Sequence, residues 1–116
     1  MSNHCVIDLE HLDKYVAGDL SLRDEILTIF SEQAAMLDEK FGRAATDEAW
    51  RNTAHSLKGA SRGVGAWALG DLCEEAERLI ANTPGKSDRR AAILESIRHQ
   101  VELAIDEVRR LRALAA

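Results

Sequence analysis

The chain has 116 residues, enough for one domain with a single core that needs no disulfide or metal to hold it. Its 46% apolar and 30% charged content is that of an ordinary globular domain, and one proline with few aromatics favours helices throughout. A net charge of −5 disfavours nucleic acid and anionic membranes as partners, and no apolar run approaches the roughly 20 residues that cross a bilayer.

The spacing of apolar residues predicts five helices. Asp8 caps a short first helix whose apolar side carries Leu9, Leu12, Tyr15 and Val16, and Gly18 ends it. The second runs from about Asp19 to Gly42. Its principal stripe is Leu22, Ile26, Ile29, Gln33, Met36 and Leu37, with Leu27, Phe30, Ala34 and Phe41 widening one flank. Such a face must cover two neighbours, or one neighbour and a partner; packing under the first helix accounts for most of the flank. Thr46 or Asp47 caps the third helix, whose stripe is Trp50, Ala54, Leu57, Ser61 and Val64. Gly59, Gly63 and Gly65 weaken its second half by about 1 kcal/mol each, which implies a need for open surface or close helix approach.

The fourth helix, from about Ala66 to Asn82, buries Leu69, Leu72, Cys73, Ala76 and Ile80. Pro84-Gly85 is the clearest break in the chain. The last helix starts near Ser87 and buries Leu94, Ile97, Val101, Ile105, Val108 and Leu111. Long amphipathic helices with short connections predict an all-α protein: an antiparallel four-helix bundle with a short additional N-terminal helix across one end, spanning residues 1–116 as one domain.

The third helix carries the chemistry. At 100° per residue His55 lies about 140° from the centre of the apolar stripe, with Gly59 and Arg62 on its own face. Such a histidine faces water and is open to a partner. Neutral imidazole is a nucleophile near pH 7, because its ordinary pKa of about 6.5 leaves most molecules uncharged, and it can carry a covalent intermediate without a metal. Lys58, one turn on, can offset the charge of a transferred phosphoryl group. Gly59 leaves free the space that a side chain would fill, so another protein's active site can approach. Arg62 and Arg51, on the same broad face, would attract an acidic partner pocket, although ordinary solvated helix charges have the same pattern. Spacing alone also allows a surface histidine with no reaction to perform.

The other candidates are weaker. His4, Cys5 and His11 have no pairing of the kind metal sites need, and Cys73 falls on an apolar stripe as a small hydrophobe. His99 sits among polar neighbours. Met1-Ser2-Asn3-His4 lacks a charged region followed by an apolar one, so no secretory signal is expected and the cytoplasm is the expected location.

The run His55-Ser56-Leu57-Lys58-Gly59-Ala60-Ser61, followed by Val64-Gly65-Ala66, Leu69, Leu72-Cys73 and Glu77, resembles the signature of histidine-containing phosphotransfer (HPt) domains. The segment Ala17-Gly18-Asp19-Leu20-Ser21-Leu22-Arg23-Asp24-Glu25-Ile26-Leu27-Thr28-Ile29-Phe30 is similar to the same family's first long helix and its approach. The two stretches cover close to half the chain. The resemblance implies a phosphorelay intermediate: His55 accepts a phosphoryl group from a receiver-domain aspartate and passes it to another receiver. In related proteins a polar side chain of the following helix binds one ring nitrogen, and the matching position here is Glu77. By projection Glu77 lies at the edge of its helix's apolar stripe, which suits that role or that of a solvated glutamate.

The partners implied are response-regulator receiver domains and a hybrid histidine kinase. No cofactor is expected on this chain, Mg2+ belonging only to the partner receiver, and no ATP-dependent kinase activity, since no glycine-rich phosphate loop is present. The protein is expected to act as a monomer, and its Met start and helix complement favour one that stands alone. A helical interaction module without phosphotransfer is the competing reading; a reactive histidine with its lysine and glycine argues against it. A histidine kinase dimerisation domain would be a two-helix hairpin attached to an ATP-binding domain, which the five-helix pattern disfavours.

Overall fold

The first helices begin where a side chain takes up a free backbone N–H. In the computed structural model, which describes residues 5–115, the carboxylates of Asp8 and Asp19 accept from the N–H groups of His11 and Leu22, and the Thr46 hydroxyl accepts from Ala49. These caps open α1 (Leu9–Val16), α2 (Leu20–Gly42) and α3 (Asp47–Gly63). The chain then turns through Gly65, at φ +78°, into α4 (Trp67–Glu77), and through Gly85, at φ +66°, into α5 (Lys86–Ala115).

Pairs of residues across the helices give the topology. Asp24 and Asp38 of α2 meet Arg112 and Arg98 of α5, so the two helices run antiparallel. Trp50 reaches Ala76 while Arg62 reaches Asp71, so α3 and α4 do likewise. Consecutive helices from α2 to α5 pack side by side and α5 closes back on α2, while α1 lies against α2. The result is the expected antiparallel bundle with a short extra helix. At 1.5 Å per residue α5 is about 45 Å long, which accounts for the 47 Å long axis.

One continuous core joins all five helices. Leu12, Leu27, Phe41, Leu57, Leu69, Ile97 and Val108 are almost wholly buried, and the Phe41 and Trp50 rings meet edge to face at 4.5 Å. In α5 the seam runs through Ile97, Val101, Ala104, Val108 and Leu111, while Leu94 and Ile105, expected in the core, are half-buried at its margin.

Three expectations are corrected. In α2 the buried face is Leu27, Phe30, Ala34, Leu37 and Phe41, all but Leu37 residues read as a flank; Ile29 and Met36 of the expected main stripe are 56% and 58% exposed, and Leu22 is exposed as well. The helix is rotated by about 90° from the projected orientation. The sheer number of apolar positions leaves the rotation undetermined, and it is set by burying two phenylalanine rings while Asp24 and Asp38 reach the arginines of α5. In α1, Tyr15 is 65% exposed and stacks edge-on against His11 rather than facing the core.

The third correction concerns α4, which ends at Glu77 rather than near Asn82. Residues beyond it leave the helix, and Ala81 takes φ +54°. Their carbonyls bind side chains instead: Leu79 accepts from Arg90 Nε at 2.7 Å, Ile80 from the Thr83 hydroxyl at 2.7 Å, and Ala81 from Lys86 Nζ at 3.0 Å. Leu79, not Ile80, becomes the fully buried residue.

Gly65 is where the chain permits no side chain. Its carbonyl accepts the Asp8 N–H at 3.0 Å, and a Cβ would stand 2.7 Å from Asp8 Cβ and 2.9 Å from Asp8 O. Gly65→Ala is therefore expected to destabilise the bundle, by about 1–2 kcal/mol from the left-handed backbone alone and by more from displacement of the segment before α1. Thermal unfolding should show a midpoint lowered by roughly 5 °C or more; an unchanged midpoint would refute the close approach.

Candidate functional site

Ala54 and Leu57 are wholly buried, and their neighbours on α3 are thereby turned outward. His55 emerges on the outer face with its side chain 72% exposed. Its Nδ1 lies 2.9 Å from Oε2 of Glu77, the last residue of α4. The other oxygen of that carboxylate accepts a hydrogen bond from Lys58 Nζ at 2.6 Å. One carboxylate thus joins the histidine and lysine that the sequence placed one helical turn apart.

The electrostatics of the triad follow from that geometry. Burial acts first on the Glu77 carboxyl and would push it up, but the hydrogen bonds and charges of Lys58 and His55 outweigh it and hold the group below its ordinary value. Glu77 is therefore an ionised acceptor, and an acceptor at 2.9 Å requires the proton to sit on His55 Nδ1. In the neutral ring the lone pair is left on Nε2, the nitrogen that does not face Glu77. A Glu77 reading as a solvated surface residue is set aside by these two contacts, since its side chain is only 16% exposed.

Around the triad the surface is open. A Cβ built on Gly59 or Gly63 would meet nothing within 4 Å. Arg51, one turn before His55, is exposed and has no ion-pair partner among the described residues. Arg62 is placed differently from the free surface cation expected: its guanidinium bonds to Asp71 at 3.3 Å and Glu74 at 3.1 Å on α4. Its stem lies across Gly70, where a Cβ would come within 2.8 Å of Arg62 Cγ. The helical glycine at position 70 was the signal for this contact in the sequence, and neither it nor the acidic pair was read there. Cys73, on the buried side of α4, has its thiol pushed up to about 12, mainly by burial with the Glu77 charge adding to it, so it stays protonated.

His11 packs edge-on against the Trp67 ring at 4.7 Å, and the Trp67 indole N–H donates to Asp8. His99 lines a shallow cleft with Leu72 and Glu95 between α4 and α5, away from the triad. His4 lies outside the described residues. Among those residues no three or more His, Cys, Asp or Glu side chains converge as a metal site, and no helix is long and apolar enough to cross a membrane.

At the start of α3, Asp47 accepts the Ala81 N–H at 2.8 Å, Arg90 at 2.7 Å and Lys86 at 3.1 Å, and its carboxyl is lowered to about 2 by those bonds, the backbone one foremost. A carboxyl depressed in the folded state from 3.8 to about 2 contributes stability that is complete above pH 4 and lost as pH falls toward 2. Acid titration of the thermal midpoint should therefore fall more steeply between about pH 4 and 2 in the native protein than in Asp47→Asn; parallel curves would exclude the linkage.

Comparisons with known proteins find the same kind of helical domain. A search of curated proteins gives no match. Among solved structures the chain is similar to the histidine phosphotransferase ShpA from Caulobacter crescentus, with a TM-score of 0.67 and 31% sequence identity, over 95% of this chain and 99% of that one. The sequence model of the Hpt domain matches residues 25–111, a span that holds His55, Lys58, Gly59 and Glu77. With the family model matched over most of its length and a histidine phosphotransferase of 31% identity sharing its fold, the chain belongs to the Hpt domain family, the carriers of phosphoryl groups in two-component phosphorelays.

Proposed function

We propose that this protein takes a phosphoryl group from the aspartyl phosphate of one receiver domain onto His55 Nε2 and delivers it to the aspartate of another. The observation that carries this reading is the Glu77 carboxylate at 2.9 Å from His55 Nδ1, beside a solvent-exposed ring. A neutral imidazole with its proton on Nδ1 has its lone pair on Nε2, so no base is needed for attack. As the Nε2–P bond forms, the acyl oxygen–phosphorus bond breaks and its electron pair returns to the receiver's carboxylate. Nε2 has no proton to lose, and the ring becomes an N-phosphoimidazolium. Its new positive charge is met by Glu77 across the Nδ1–H bond. The reverse reaction uses the same groups, so the direction of transfer follows the populations of the partners.

Lys58 completes the charge balance. At 2.6 Å it neutralises Glu77 before transfer, and its flexible stem on the His55 side of α3 lets the ammonium reach the incoming phosphoryl oxygens. The Mg2+ for the reaction would reside on the receiver, and hybrid kinases, whose receivers bear aspartyl phosphate, are the upstream partners. Arg51 and the open surface at Gly59 would face the docked receiver.

The test is incubation with a phosphorylated receiver, followed by mass spectrometry under non-acidic conditions. A mass gain on the peptide containing His55, transferable to a second receiver, is the expected result; no labelling by any receiver would leave a docking module. Lys58→Ala should slow single-turnover transfer by roughly tenfold to a hundredfold without abolishing it, because a positioned charge stabilises the transition state and makes no bond to phosphorus. A rate equal to the native one would make Lys58 only the partner of Glu77.

A further inference from the structure

We propose that Trp50, Arg90 and Asp47 are positioning residues of the phosphotransfer site, a latch that fixes the end of α4 so that Glu77 meets His55. The proposal rests on the phosphotransfer reading of the site and extends it to residues that touch neither His55 nor Lys58. Glu77 stands at an awkward place, since α4 has only 11 residues, ends at that residue, and has no basic side chain in its last turn. A frayed helix end would carry the carboxylate away from α3. Instead, the backbone on both sides of Glu77 is tied to α3 and α5.

On the near side the Trp50 indole Nε1 donates to the Ala76 carbonyl at 2.7 Å, a buried bond. On the far side Arg90 Nε donates to the Leu79 carbonyl at 2.7 Å, and the Asp47 carboxylate accepts the Ala81 N–H at 2.8 Å. The three side chains are themselves joined. Arg90 donates to Asp47 at 2.7 Å and its guanidinium lies 4.6 Å from the centre of the Trp50 ring. Trp50 and Asp47 stand on the same helix as His55, so the end of α4 is measured against α3 itself. The span from Asp47 to His55 is about 12 Å along a rigid helix. Glu77 is therefore held by its backbone as well as by its own contacts, and the His55 proton is assigned to Nδ1 before any partner arrives.

The conservative variant is Trp50→Phe, which keeps an aromatic ring against Phe41 and removes the N–H. Arg90→Lys, which keeps a charge for Asp47 and loses the Nε donor and the planar stack, is the second variant and guards against misfolding in the first. Nitrogen-15 NMR of the His55 ring in the full chain, at a pH where imidazoles are neutral, reads the tautomer directly and needs no receiver. Both variants should shift the ring away from the Nδ1–H form and slow transfer by roughly threefold to tenfold. Val101→Ala, a core truncation in α5, should lower stability and leave the tautomer alone.

In a Glu77→Ala background, Trp50→Phe should cause no further slowing, because the latch acts through Glu77. The proposal is overturned by a native tautomer ratio in both latch variants, by an equal shift in Val101→Ala, or by losses that add in the double variant. Failure of the phosphotransfer reading has a different signature, the absence of labelling at His55 in the unaltered protein.

Discussion

His55→Gln should accept no detectable phosphoryl group while the bundle stays folded. The side chain is 72% exposed, so its loss removes chemistry and little stability. Glutamine is the informative replacement, because its amide can still donate to Glu77 where the imidazole Nδ1–H did, yet offers no nucleophilic lone pair in place of Nε2. Helical circular dichroism should be unchanged, and the thermal midpoint should lie within a few degrees of the native value. Two other histidines provide an internal control: His11 meets the Trp67 ring edge-on, and His99 lies in the cleft between α4 and α5. Full labelling of His55→Gln by a phosphorylated receiver would move the phosphoacceptor elsewhere.

Gly59→Gln separates docking from folding. A Cβ at this position meets nothing within 4 Å, so a side chain can be added without displacing any neighbour. Replacing glycine by glutamine in a helix stabilises it by up to about 1 kcal/mol. The thermal midpoint should hold or rise, by roughly 3–6 °C at most. Gly59 also stands one turn beyond His55 on the same face, where a long side chain would project into an approaching receiver. Receiver binding and transfer should fall by about tenfold or more, the equivalent of 1.4 kcal/mol. Stability and activity are thus expected to move in opposite directions. A variant that binds and transfers normally would show that the open surface at Gly59 is not where the partner sits.

Much of this protein was legible along its chain. The cap at Asp8, the start of α2 near Asp19, the cap of α3 at Thr46 or Asp47, the breaks at Gly18 and Pro84-Gly85, and the stripe of α3 are local signals that depend on neighbours within one or two turns. For the same reason the outward direction of His55 was fixed by the sequence: Trp50, Ala54, Leu57 and Ser61 lie on one side of a single helix, and burying them leaves His55 no other way to point. Tertiary structure decided whatever depended on two helices at once. The rotation of α2 is one case, because apolar residues cover so much of its circumference that only Phe41 against Trp50 and the arginines of α5 choose the inner face. The end of α4 is another. The Thr83 hydroxyl takes the Ile80 carbonyl locally, but it is Trp50 and Arg90, from other helices, that take the carbonyls of Ala76 and Leu79 while Asp47 takes the Ala81 N–H. Arg62 follows the same rule, since its charge was visible on the face of α3 but its carboxylate partners stand on α4. The site itself divides in this way. Sequence placed His55 on the surface through the period of one helix, and only the packing of α4 on α3 brought the Glu77 carboxylate to its Nδ1, leaving Nε2 as the nitrogen turned away from it.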